Sequence, residues 1–182
     1  MLAQKNKAKI SGIEIDLSSY KQLKENIGLS KWKERLKAFP GDVRTHIFED
    51  RFDFIIVNPP FFENDLLSPD EEKNIAKHSK ELSLEELIKV IDNNLDVSGS
   101  FGILLPYHRI LYFDELALEH NFYLKEKLSV RQTPRHDLFR GILHFSRSKE
   151  NIIDAFEISI HNEEGKFSNE FVELMKDYYL HL

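Results

Sequence analysis

A chain of 182 residues is long enough to bury one sizeable core, and 41% hydrophobic with 31% charged residues is ordinary globular composition. The lack of cysteine excludes a disulfide framework, a Cys-based zinc site and a thiol nucleophile, and the eight histidines form no pair at metal-ligand spacing, so no metal is expected. A net charge of −6 argues against general nucleic-acid coating, no run approaches the ~20 apolar residues of a membrane span, and MLAQKNKAKISG lacks a secretory h-region, so a cytoplasmic location is expected.

In chain order, Ala8–Asp16 reads as a strand ending in acids. Ser18 is placed to cap a helix through Asn26, with Tyr20, Leu23 and Ile27 on one face. Leu36–Phe39 is a short strand closed by Pro40-Gly41, and Phe52–Val57 is a third strand whose continuous apolar end predicts burial on both faces. Pro69 opens a helix to about Lys80, and the capping box Ser83-Leu-Glu-Glu86 starts another ending near Asn94. Gly99–Leu105 is a buried strand stopped by Pro106, followed by a helix around Phe113–His120. Strands near Tyr123–Val130, Gly141–Ser148 and Ala155–His161 come next, then a helix capped by Ser168 to about Tyr179. Strand and helix alternate first and a strand-rich tail follows, which predicts an α/β sheet, mostly parallel with antiparallel C-terminal strands, in one domain over residues 1–182.

The chemically informative feature is Asn58-Pro59-Pro60-Phe61, directly after the strand FDFIIV. In open α/β sheets ligands bind beyond the carboxyl ends of the strands, where this tetrapeptide falls. Two prolines fix the backbone, so the Asn58 side-chain oxygen and the Pro59 carbonyl stand at set positions as two acceptors. A planar amino group has two N–H donors to give, and accepting both orients its nitrogen toward an electrophile. Phe61 is placed to stack on a base drawn out of its helix or loop.

An Asn-Pro-Pro-aromatic sequence after a buried strand resembles the signature of Rossmann-like methyltransferases that act on planar nitrogens. Through WKERLKAFPGDV, RFDFIIVNPPFF, EEKNIAKHSKELSLEELI and FSNEFVELMKDYYLHL the chain is similar, from end to end, to the tRNA1(Val) adenine N6-methyltransferase family. The resemblance implies S-adenosylmethionine as cofactor, with Glu14 in GIEID on its ribose, Asp42 in PGDV at its adenine and Asn58 shared between cofactor and substrate. It implies N6-methylation of a tRNA adenine, next to the anticodon of a valine tRNA. It also implies a first strand and a Gly-rich loop for which the seven dispersed glycines offer no match, so this chain is expected to bind the cofactor weakly or not at all. The missing strand would lie between those at Ile10 and Phe52.

For RNA, Lys73, Lys77 and His78 follow the motif closely. From Lys125 to Lys149 the chain carries Lys125, Lys127, Arg131, Arg135, Arg140, Arg147 and Lys149 against only Glu126 and Asp137. Arg131, Arg135, His136 and Arg140 are the candidate phosphate contacts of this stretch, and such contacts give affinity without sequence information. The same turn also serves a protein glutamine amide or an rRNA guanine amino group, and a chain without the cofactor loop also fits a non-catalytic RNA- or partner-binding remnant. Oligomeric state is not readable from these features.

Overall fold

The computed structural model describes residues 2–59, 82–150 and 152–179, so the helix expected from Pro69 lies outside the described residues. The chain divides into two compact units, Met1–Glu49 and Asp50–Leu182.

The first unit holds a four-residue helix α1 (Leu2–Lys5), strand β1 (Ile10–Glu14), helix α2 (Leu17–Leu29) and strand β2 (Leu36–Pro40). β1 and β2 pair in parallel from Ile10↔Leu36 to Glu14↔Pro40, with α2 as the crossover. The cap of α2 is Asp16, not Ser18: its carboxylate accepts from the Ser19 N–H at 2.8 Å and from the Ser18 hydroxyl at 2.5 Å. The Ser18 hydroxyl, and then the Ser19 N–H, hold the Asp16 carboxyl down at about 2. Both residues suit an N-cap, and the charged acceptor at the helix's positive end wins. Gly41, at φ +134°, turns the chain after β2 in a conformation only glycine adopts readily.

The second unit is a five-stranded sheet in the order β3 (Phe52–Val57), β4 (Leu95–Pro106), β6 (Leu138–Ser146), β5 (Tyr123–Arg131), β7 (Asp154–Ser159). β3 pairs with β4 in parallel, β6 is antiparallel to both β4 and β5, and β7 is parallel to β5. Only β6 is therefore reversed, and the carboxyl ends of β3, β4, β5 and β7 meet at one edge. Helix α3 (Leu84–Asn94) starts at the Ser83 capping box, with Ser83 Oγ accepting from Glu86 N–H at 3.1 Å and Glu86 accepting from Ser83 N–H at 2.9 Å. Leu87, Ile88 and Ile91 follow at helical spacing and are buried. A 3-10 turn (Tyr107–Arg109) leads into helix α4 (Ile110–Glu119), and α5 (Asn169–Met175), capped by Ser168, ends earlier than expected.

The core lies between α3, α4 and one face of this sheet. Fully buried Phe101 packs edge-on to Phe113 and Phe122, at ring centroid distances of 6.3 and 5.0 Å, and stacks on Phe145 at 5.1 Å. Ile55 and Val57 pack against this cluster, but Phe54 and Ile56 are 47% and 55% exposed. The expectation that β3 is buried on both faces is thus corrected: alternate residues point to opposite faces, and among the described residues α3 and α4 pack on one of them. β4 also begins earlier than expected, straight from the end of α3 at Leu95, with no linker to mark the change.

Candidate active site

Within the first unit, Glu14 and Asp42 both stand at the carboxyl end of the β1–β2 pair, joined by a 2.9 Å hydrogen bond from the Gly41 N–H to the Glu14 carbonyl. One Glu14 carboxylate oxygen accepts from the Asp16 N–H at 2.8 Å, and among the described residues the other has no donor. A single open carboxylate oxygen at a strand end fits a ribose hydroxyl. Asp42 is more committed. Its carboxylate accepts from the Arg44 N–H at 2.9 Å and from the Arg44 guanidinium at 2.6–3.0 Å, which holds the carboxyl below its ordinary value. An amino group arriving at Asp42 would share that carboxylate with Arg44.

Within the second unit, Asn58 follows β3 directly, with its residue exposed, while Pro59 is buried. A buried proline anchors the turn and an exposed Asn presents an amide to a ligand. Pro60, Phe61, Lys73, Lys77 and His78 lie outside the described residues. The β3–β4 register, Val57↔Ile103, sets Asn58 level with Leu104, two residues short of the end of β4.

The same edge gathers the basic candidates of the β5–β6 hairpin. Arg131 ends β5, and its guanidinium pairs with Glu157 at 2.6 Å and donates to the carbonyls of Pro134 at 3.4 Å and His136 at 3.3 Å. Thr133 Oγ1 and His136 Nδ1 share a 2.7 Å hydrogen bond inside the same turn. Arg135 is 76% exposed and meets Glu163 at 3.2 Å. Arg140 lies opposite Pro106 of β4, with its guanidinium 5.3 Å from the centre of the Phe139 ring. Arg131 is thus held inside the hairpin, whereas Arg135 projects from it.

Two groups on this edge were passed over in the sequence. Tyr107, His108 and Arg109 follow β4 just as Asn58 follows β3, and His108 is exposed. The signal was present, since a Pro-terminated buried strand marks an edge position as well as a strand end. Phe139 is the other, and its exposure has no local signal.

Residues 1–104 match the Methyltransferase small domain family. The chain is 37% identical over 184 residues to a tRNA1(Val) (adenine(37)-N6)-methyltransferase of Dyadobacter fermentans, across 99% of this chain and 77% of that one. Among solved structures it is similar to a predicted O-methyltransferase of Agrobacterium tumefaciens, with a TM-score of 0.68 at 12% identity over 93% of this chain and 77% of the other. It is also similar to a glycopeptide N-methyltransferase complexed with S-adenosyl-L-methionine, with a TM-score of 0.54 at 10% identity over 78% and 73% of the two chains. Likenesses at such low identity establish the Rossmann-like methyltransferase fold.

Proposed function

The chain belongs to the tRNA1(Val) (adenine(37)-N6)-methyltransferases within the Methyltransferase small domain family, and from that premise we propose that it methylates N6 of an adenine in tRNA, next to the anticodon of a valine tRNA. Its cofactor is S-adenosylmethionine, which when bound supplies an electrophilic methyl group on sulfonium sulfur. The observation that carries the reading is Asn58-Pro59 at the carboxyl edge of β3, an exposed amide on a buried proline.

The chain's own residues bind and orient. Asn58 Oδ1 accepts one amino hydrogen of the adenine and the Pro59 carbonyl accepts the other, so the nitrogen lone pair is aimed before reaction. As the N–C bond forms and the methyl leaves sulfur, the nitrogen gives up one of its two hydrogens as a proton to solvent, so neither acceptor changes protonation state. Glu14 accepts from a ribose hydroxyl through its open oxygen, and the side chain of Asp42, shared with Arg44, meets the adenine end of the cofactor. Arg135 and Arg140 neutralise phosphates beside the adenine. The match of residues 1–104 to one family domain runs across the boundary between the two compact units, which supports reading the chain as one methyltransferase domain, in an enzyme we read as cytoplasmic.

The test is methyl transfer to unmodified tRNA at saturating cofactor, read by mass spectrometry of digested nucleosides. With cofactor raised far enough to offset the weak binding expected without a match to the Gly-rich loop, N6-methyladenosine is expected from the wild type, and Asn58→Ala is expected to lower its rate by about 100-fold or more, the scale for losing a preorganised hydrogen-bonding group. Its folding should be unchanged because residue 58 is exposed. Methylation of a protein glutamine or an rRNA guanine in place of tRNA adenine would refute the substrate.

A further inference from the structure

Phe139 sits where a strand pairing slips. Val130 pairs with Arg140 and Arg131 with Leu138, so Phe139 is the extra residue of a bulge and has no partner across the β5–β6 hairpin. Bulges next to active sites re-aim a side chain, and here the ring is left 36% exposed on the sheet edge that carries Asn58. The Arg140 guanidinium lies over the ring at 5.3 Å from its centre, and Arg140 Nη1 donates to the Phe139 carbonyl at 3.1 Å. The hairpin is braced by the Arg131 and Thr133–His136 bonds, so the ring stands on an ordered support.

Distance makes the pair relevant to the substrate. β6 is two strands from β3, and Arg140 is level with Pro106, two residues past the level of Asn58. A strand spacing of about 4.8 Å and a rise of about 3.3 Å per residue put the Asn58 and Arg140 backbones roughly 12 Å apart. The nucleotides flanking a flipped base stay joined to it through the backbone, and that span suits one of them. Proteins hold splayed single-stranded bases by stacking them on aromatic rings and guanidinium planes.

We propose that Phe139, with Arg140 over its ring, is a stacking platform for an unpaired base flanking the target adenine. The platform fixes which nucleotide reaches Asn58, and phosphate contacts alone cannot do that. This rests on the tRNA reading above.

The experiment uses an unmodified valine-tRNA anticodon stem-loop with 2-aminopurine in place of the base beside the target, titrated with the wild type, Phe139→Tyr, Phe139→Leu and Phe139→Ala. Fluorescence quenching is expected with wild type and Phe139→Tyr, which keep the ring face. Phe139→Leu, which keeps apolar bulk without a ring, and Phe139→Ala should bind about 5- to 150-fold more weakly and lose the quenching. If the wild type methylates tRNA but Phe139→Leu binds and quenches equally well, the platform is overturned and the tRNA reading stands. If the wild type neither binds nor methylates tRNA, both are overturned.

Discussion

Arg131 and Arg135 are four residues apart in one basic hairpin, yet they should behave as different kinds of residue. The perturbation is Arg131→Gln set beside Arg135→Gln. Arg131 loses an ion pair whose partner, Glu157, is 52% exposed, and two carbonyl contacts at 3.3–3.4 Å, near the limit of useful hydrogen bonding. Half-exposed pairs are worth at most about 1 kcal/mol, and removing Arg131 also removes its Nε, which is buried without a partner. Losing that unpaired N–H offsets part of the cost, so the expected loss of stability is at most about 1 kcal/mol, read as a lower urea midpoint at an unchanged m-value. Arg135, 76% exposed, should lose no measurable stability. Binding of unmodified tRNA across a salt series supplies the second axis. Each phosphate contact removed lowers the slope of log K against log salt by about 0.7–0.9. That drop is expected for Arg135→Gln only; Arg131→Gln should weaken binding through a looser hairpin and keep the slope. Native stability for Arg131→Gln together with a slope drop of about one would show that Arg131 contacts phosphate and that the clamp reading is wrong.

Gly99→Ala should destabilise the second unit by about 1–3 kcal/mol in urea unfolding, the range for overpacking, because the new methyl would stand 2.9 Å from the side chain of fully buried Leu95 and 3.0 Å from the Asp53 carbonyl. Asp114→Asn should raise stability at neutral pH by up to about 1 kcal/mol, since burial pushes this carboxyl above its ordinary value against a smaller downward pull from Lys127. A raised folded pKa means that the protonated form favours folding below the unfolded value, and that this is lost as pH rises through the folded one. The advantage of Asn should therefore shrink as pH falls below about 4, and a pH-independent difference in thermal melts would contradict the assignment.

What could be read in the sequence was local. The Ser83 capping box and the spacing of Leu87, Ile88 and Ile91 specify α3 without help from the rest of the chain, and the structure puts that helix from Leu84 to Asn94. Asn58-Pro59 was legible for a similar reason, because an apolar strand followed by a rigid turn marks an edge position wherever the strand lies in the sheet. What failed was tertiary. Phe54 and Ile56 look like core residues in FDFIIV, and their exposure depends on which sheet face the helices cover. Phe139 carries no pattern of its own, since its bulge exists only in the pairing of β5 with β6.

The basic run shows how strand direction changes the meaning of charge. Along the sequence, Lys125 to Lys149 looks like one patch. A hairpin folds such a run back on itself, so its middle and its two ends finish at opposite edges of the sheet. Arg131, Arg135 and Arg140 reach the edge that carries Asn58. At the far edge, Lys125 pairs with Glu150 at 2.6 Å and Arg147 pairs with Asp92. Arg147 also donates to the His120 carbonyl at 3.2 Å and lies 4.2 Å over the Phe122 ring, tying α3 and α4 to β6. Burial alone would raise the Asp92 carboxyl, but Arg147 and His120 outweigh it and hold the carboxyl below its ordinary value. Lys127, mid-strand, acts on Asp114 of α4. Two of the seven basic residues, Arg147 and Lys127, therefore act on the helices that cover the sheet, and Lys125 is taken up by Glu150. The reversed strand β6 sorts the two halves: it requires the turn to lie at the carboxyl end of β5, on the sheet edge that carries Asn58, and the proposed phosphate contacts Arg135 and Arg140 belong to that half.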